Sequence, residues 1–148
     1  MVVSFHWGVE NTNVPKTYQV AAAHRAIDAG ADLVLGHHPH VLQGVERYKN
    51  GVIFYSLGNF TFGTASKTAR RSVIARVFLE NGVKGVELIP LNVLNTDVHY
   101  QPKVLSGKEG REVIDHLARL SGRWDTAITS MDGRYLIRMG NAPRLAKR

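Results

Sequence analysis

The stretch "LVLGHHPHVLQ", Leu33 to Gln43, places His37, His38 and His40 within four positions directly after a short apolar run. Residues two apart share a face in an extended segment, so His38 and His40 can turn both imidazoles to one point. Pro39 fixes its own φ and biases His38 toward extended geometry, which leaves His37 pointing away. Gly36 is expected to let the backbone turn off the strand. His6 follows the earlier apolar run "VVSF" and occupies the equivalent position. If the two runs are neighbouring parallel strands, His6, His38 and His40 converge at one rim, where open α/β sheets keep their ligands. Three neutral imidazoles there make a candidate divalent-metal site. His24, His99 and His116 cluster with nothing in the pattern and read as structural or solvated.

The elements that must hold these residues follow from the pattern. "VVSF" reads as a buried strand, "HWGVENTNVP" as a loop, and "KTYQVAAAHRAIDAG" as an Ala-rich helix with Val20, Ala23 and Ile27 on one face. Asn13 is the expected cap, Pro15 falls in the first turn, and Gly30 ends the helix. "DLVLG" is the next strand, and strand–helix–strand in this order predicts a right-handed βαβ unit. Beyond Gly36, "VLQGVERY", "VIFYSLGNFTF", "SVIARVFLEN" and "VKGVELIPLNVL" read as successive strands, with hairpin turns at Asn50-Gly51 and Asn81-Gly82. In the third of these, Val73, Ala75, Val77 and Leu79 share one face, and Ser72 and Arg76 lie opposite. Ser106 and Glu109 form a capping box for a helix of about four turns, with Val113, Ile114, Leu117 and Leu120 as its apolar stripe. Asp132-Gly133 turns a last hairpin. The pattern gives one domain over 1–139, and 140–148 reads as a frayed, disordered tail.

Composition bounds the chemistry. A chain of 148 residues with 44% apolar content can form a core, and the absence of cysteine leaves His, Asp, Glu and Asn as metal ligands. No run is long and apolar enough for a transmembrane helix. "MVVSFHWG" lacks the basic segment and cleavage site of an export signal and reads as a core strand, so a preceding segment is expected. The formal net charge is +7, gathered partly in "KTARR" and "RLAKR". This excess comes without a nucleic-acid motif, so it points to anions in general and makes nucleic acid an unlikely partner.

Four blocks, "HWGVE", "GADLVLGHHPHVLQGVERY", "VIFYSLGNFTF" and "LARLSGRWDTAI", resemble the capsule-synthesis CapA (PGA_cap) family from about Val3 to Ile137. That family is linked to poly-γ-glutamate synthesis and is related to calcineurin-like metallophosphoesterases. The resemblance implies an α/β (α+β) fold, the later half of a metallophosphoesterase-like sandwich of two β-sheets flanked by helices. It implies His6, His38 and His40 as metal ligands, with manganese, iron or zinc as the ion. Glu10 and Asn59 belong to the "HWG.E" and "SLGNF" blocks and are placed as catalytic residues at the rim of the same site.

The family's earlier Asp-rich strand, "N.E" block and "NNH" block have no counterpart in this sequence. The resemblance therefore covers the later half, and the rest is expected upstream or in a separate chain. Without the bridging carboxylate, the histidine pole holds one ion rather than the pair that two-metal phosphoester chemistry uses. Two functions follow. One is a metal-dependent hydrolase-fold protein acting on a phosphoester or related bond when complete, and inactive alone. The other is a non-catalytic accessory module whose Lys67, Arg70, Arg71 and Arg76 hold an anionic polymer such as poly-γ-glutamate. Expected partners are that polymer or another anionic substrate, the missing half, or a second copy. The family setting is the cell envelope or exterior.

Overall fold

A computed structural model of the chain describes residues 1–139. The expectation for 140–148 lies outside the described residues. In chain order the elements are β1 (Val2–His6), α1 (Thr17–Asp28), β2 (Leu33–His37), β3 (Val45–Tyr48), β4 (Gly51–Phe54), β5 (Arg71–Leu79), β6 (Val83–Asn92), α2 (Asn95–Val98), β7 (Lys103–Val104), α3 (Gly107–Ser121), β8 (Thr129–Met131) and β9 (Arg134–Arg138). They build two sheets, ordered β1-β2-β4-β3 and β5-β6-β9-β8, with β7 on β6. The mixed α/β architecture of two sheets with helices agrees with the fold class read from the sequence.

The first sheet carries the site. β1 pairs parallel to β2 in the register Val2↔Leu33 through His6↔His37. β2 pairs parallel to β4, and β3 returns antiparallel. β2 and β4 are buried on both faces, which is why they read as continuous apolar runs rather than alternating ones. Val34, Ile53 and Tyr55 pack under α1 with Ala23, Ile27 and Trp7. Leu33, Val52 and Phe54 face the other way, into a core shared with Val73, Val86, Leu88 and Ile137 of the second sheet and Val113, Ile114 and Leu117 of α3.

Several local expectations change. Asn13 does not cap α1. Lys16 sits at the N-cap with no side-chain acceptor of its own, and its N–H donates to Gln19 Oε1 at 2.8 Å. The Asn13 amide donates instead to the Leu42 carbonyl at 2.8 Å, tying the first loop to the histidine loop. Burial of α1's apolar face, about 1.5–3 kcal/mol for each large side chain, outweighs a cap worth about 1 kcal/mol. Ser106 sits at the α3 N-cap but makes no side-chain cap bond. The β3–β4 hairpin turns on Lys49 (φ 52°) and Asn50, because Gly51 is already paired with Tyr48. Gly51 is needed where it is, since a Cβ there would meet Ile27 Cδ1 at 2.5 Å. "VIFYSLGNFTF" is not one strand. β4 stops at Phe54, and the chain then crosses the strand ends as a loop. Along β5, a register shift between Phe78 and Leu79 leaves Leu79 exposed, while Ser72 is buried by donating to the Leu57 and Asn59 carbonyls.

Candidate metal centre

The parallel ends of β1 and β2 deliver the histidines. Past His6 the ladder continues through Trp7 N–H to His37 O at 3.1 Å, so both loops leave the sheet side by side. Gly36 does not turn the chain as expected. It lies within β2 and is required by close approach: a Cβ there would stand 2.1 Å from the Tyr55 carbonyl and 2.5 Å from Trp7 Nε1. The Trp7 indole N–H crosses over this glycine to donate to Tyr55 O at 3.0 Å. Trp7 therefore staples β1 to β4 directly beneath the site.

The histidine loop is not extended. His38 has φ 97° and His40 φ 61°, both in the region that favours glycine. Such backbone persists where surrounding bonds over-determine it. Here the Asn11 N–H, itself on a residue at φ 57°, donates to Pro39 O at 2.8 Å. The two imidazoles are nonetheless brought together, with ring centroids 5.9 Å apart. His37 is exposed and stands outside the group.

One ligand-capable atom from each of Glu10, His38 and His40 lies within 4.8 Å of the others. His6 joins through His38: His6 Nε2 and His38 Nδ1 are 3.0 Å apart. Two nitrogens on one ion, each at about 2.0–2.1 Å, stand roughly 3.0–3.4 Å apart. The His6–His38 spacing therefore suits either a shared ion or a hydrogen bond that orients His38. Asn59 is buried at 5% exposure, and its Oδ1 lies 2.8 Å from His40 Nδ1. An amide oxygen only accepts, so His40 Nδ1 carries the hydrogen and Nε2 keeps its lone pair. This is the way a ligating histidine is commonly held. Two imidazoles and a carboxylate form a nitrogen–oxygen donor set suited to manganese, iron or zinc, with positions left for solvent or substrate.

The remaining histidines lie elsewhere. His24 Nε2 is 2.9 Å from Glu46 Oε1, and the other oxygen of Glu46 accepts from Tyr55 at 2.6 Å. Burial, followed by the Glu46 bond, pushes the Tyr55 hydroxyl well above its ordinary pKa. His99 closes α2 in a left-handed conformation, and His116 is half-buried on α3. Asn11, Phe62, Thr64 and Asn95 adjoin the site without having stood out in the sequence. Gly58, within the supposed strand from Val52 to Phe62, and Gly63, directly after it, were the available signal.

The first 64 residues match the family model described as bacterial capsule synthesis protein PGA_cap. Three of the four blocks that carry the resemblance fall within them, and "LARLSGRWDTAI" lies beyond. The capsule biosynthesis protein CapA of Bacillus anthracis is 46% identical over 94 residues, which is 63% of this chain and 23% of that protein. The PGA biosynthesis protein CapA of Bacillus subtilis (strain 168) is 44% identical over 94 residues, 63% of this chain and 25% of that protein. A "Probable polyglutamine synthesis accessory protein" of Mycobacterium tuberculosis is 41% identical over 58 residues, 39% of this chain and 15% of that protein. The chain thus spans about a quarter of the length of the two CapA relatives. Residues 1–64 are thus similar to the bacterial capsule synthesis protein PGA_cap family, with the three blocks matched in order.

Proposed function

We propose that the chain contributes to poly-γ-glutamate capsule synthesis by supplying the histidine pole of a divalent-metal centre. The names of its relatives support the capsule link. The grouping of Glu10, His38 and His40 carries the metal reading. A divalent ion held there would supply Lewis acidity toward a phosphoryl or acyl oxygen. Asn59 holds the His40 ring in its ligating tautomer, and His6 orients or joins His38. Glu10 ligates, or takes a proton from a water at the rim. In the complete protein we assign this centre to hydrolysis of a phosphoester or related bond.

The accessory reading, a basic surface holding polymer without turnover, is less well supported. Arg76 is committed to Glu87, whose other oxygen binds Arg134. Arg70 and Arg71 line a small cavity shared with Asp97, Glu109 and Glu112. Of these cations, Arg76 is therefore engaged within the protein.

Calorimetric titration of manganese and zinc into the wild-type chain and a His38→Ala/His40→Ala double variant tests the metal reading. One ion per chain, lost in the double variant, is the expected result. No heat in the wild type would overturn it. No helix among the described residues is long and apolar enough to cross a membrane.

A further inference from the structure

Two buried glutamines tie together the segments that carry the candidate centre. Gln19 on α1 and Gln43 at the end of the histidine loop are each 0% exposed. Lys16 N–H donates to Gln19 Oε1 at 2.8 Å, Gln19 Nε2 to Gln43 Oε1 at 3.2 Å, and Gln43 Nε2 to Thr12 O at 2.7 Å. The Thr12 hydroxyl in turn donates to Glu10 O at 3.3 Å. The main-chain N–H of Gln43 donates to Ser56 O at 3.1 Å, in the loop that goes on to Asn59. Gln43 thus joins the first loop with Glu10, its own loop with His38 and His40, and the loop with Asn59. Gly8 lets the first loop fold over this pair: it has φ 90°, and a Cβ there would stand 3.0 Å from both Gln19 Nε2 and Oε1.

Packing alone does not call for amides here. An apolar side chain of similar length would fill the same space without the cost of desolvating an amide, and the hydrogen bonds a buried amide makes do little more than offset that cost. What a bonded amide adds is uniqueness, because it holds one arrangement of the segments it joins. The centre depends on such an arrangement. Asn11, between Glu10 and Thr12, has φ 57°, His38 has φ 97° and His40 φ 61°. Backbone of this kind relaxes unless its surroundings over-determine it. Metal ligands, by contrast, must keep their distances to about 0.2 Å. The first loop meets the histidine loop through Asn11 N–H to Pro39 O, Asn13 Nδ2 to Leu42 O and Gln43 Nε2 to Thr12 O. Of these donors, Gln43 offers a fully buried side chain that Gln19 holds at its other end.

We infer that Gln43, backed by Gln19, is a positioning residue of the metal centre: it holds the first loop against the histidine loop in the register that lets Glu10, His38 and His40 share one ion. The inference rests on the metal reading, so its test reads the clasp and the ion separately. Gln43→Met keeps the side-chain length and removes both of its amide hydrogen bonds. Manganese is titrated calorimetrically into the full chain as wild type, Gln43→Met, Glu10→Ala and the double variant. Hydrogen exchange at the Asn11 N–H, whose bond to Pro39 O spans the two loops, is followed without metal. Gln43→Met is expected to speed that exchange and to weaken manganese binding about tenfold, on the scale of lost outer-shell partners. In the Glu10→Ala background it should add little, because the placement of Glu10 is what it removes. Fully additive losses would overturn the inference, since the two residues would then act independently. Unchanged exchange at Asn11 would overturn it as well. Val113→Ala, a change in the core under α3, should leave manganese affinity unchanged. An equal loss there would assign the effect to general loosening and also overturn the inference. Should Gln43→Met fail to fold, Gln19→Leu removes the backing bond alone, and a smaller loss with the same coupling to Glu10 is expected. No manganese uptake by the wild type, with exchange still faster in Gln43→Met, would sink the metal reading and the positioning role with it while leaving the clasp in place.

Discussion

Asn59 Oδ1 and His40 Nδ1 meet at 2.8 Å, although the two residues lie on separate loops and 19 positions apart in the chain. On the proposed metal reading, Asn59 would be a positioning residue, its buried side chain holding His40 in the tautomer that leaves Nε2 free. Removal of such a partner typically costs about 10–100-fold in metal affinity. We expect Asn59→Ala to lose metal affinity on that scale by calorimetry. Asn59→Asp keeps the acceptor and should restore most of it. Equal losses in both variants would show a merely structural role.

Gly36 is the most constrained position beneath the site. A methyl group there would overlap the Tyr55 carbonyl and the Trp7 indole, both held by their mutual hydrogen bond. Overpacking commonly costs about 1–3 kcal/mol, and backbone cannot yield as a flexible side chain does. Gly36→Ala should therefore lower stability by about 3 kcal/mol in urea unfolding. A change below about 0.5 kcal/mol, the range of surface substitutions, would refute the close-approach account.

Stability should also depend on pH through His116. Burial, then the Arg71 and Arg119 charges, hold its pKa below the ordinary value. The unfolded chain thus binds this proton more readily than the folded one. Its contribution is complete above about pH 6.5 and is lost as pH falls from there through the folded value. His116→Gln should flatten the fall in stability between neutral and mildly acid pH, measured as urea midpoints. An unchanged slope would assign the dependence to other groups. The Glu87 carboxyl, held low first by Arg134, acts at more acid pH, where its protonation removes stability.

β1 lies at the edge of its sheet, with Val2 and Ser4 exposed, and Val14 and Tyr18 are left in solvent as well. An open strand edge templates pairing with another chain, and lysine on an edge suppresses it. Light scattering at rising concentration should show association of the isolated chain, reduced by Ser4→Lys. A monodisperse wild-type monomer at high concentration would contradict this.

The βαβ unit, the buried double-faced strands, the α3 stripe and the placing of His6 beside the histidine loop were all legible in the sequence. Each depends on apolar periodicity or on the order of elements, and both are properties of short windows. The choice of histidines as the candidate ligands came from spacing in the same way. Tertiary structure decided what spacing cannot express. It placed Glu10 with His38 and His40, although the backbone around the two histidines is left-handed rather than extended. It made Gly36 a point of close approach between strands rather than a turn. It also turned the Tyr55–Phe62 stretch from part of an expected strand into a loop over the strand ends. These outcomes depend on contacts between segments far apart in the chain, and hydrogen bonds such as Asn11 to Pro39 and Asn95 to Phe62 override local preference once the sheet has brought their partners together.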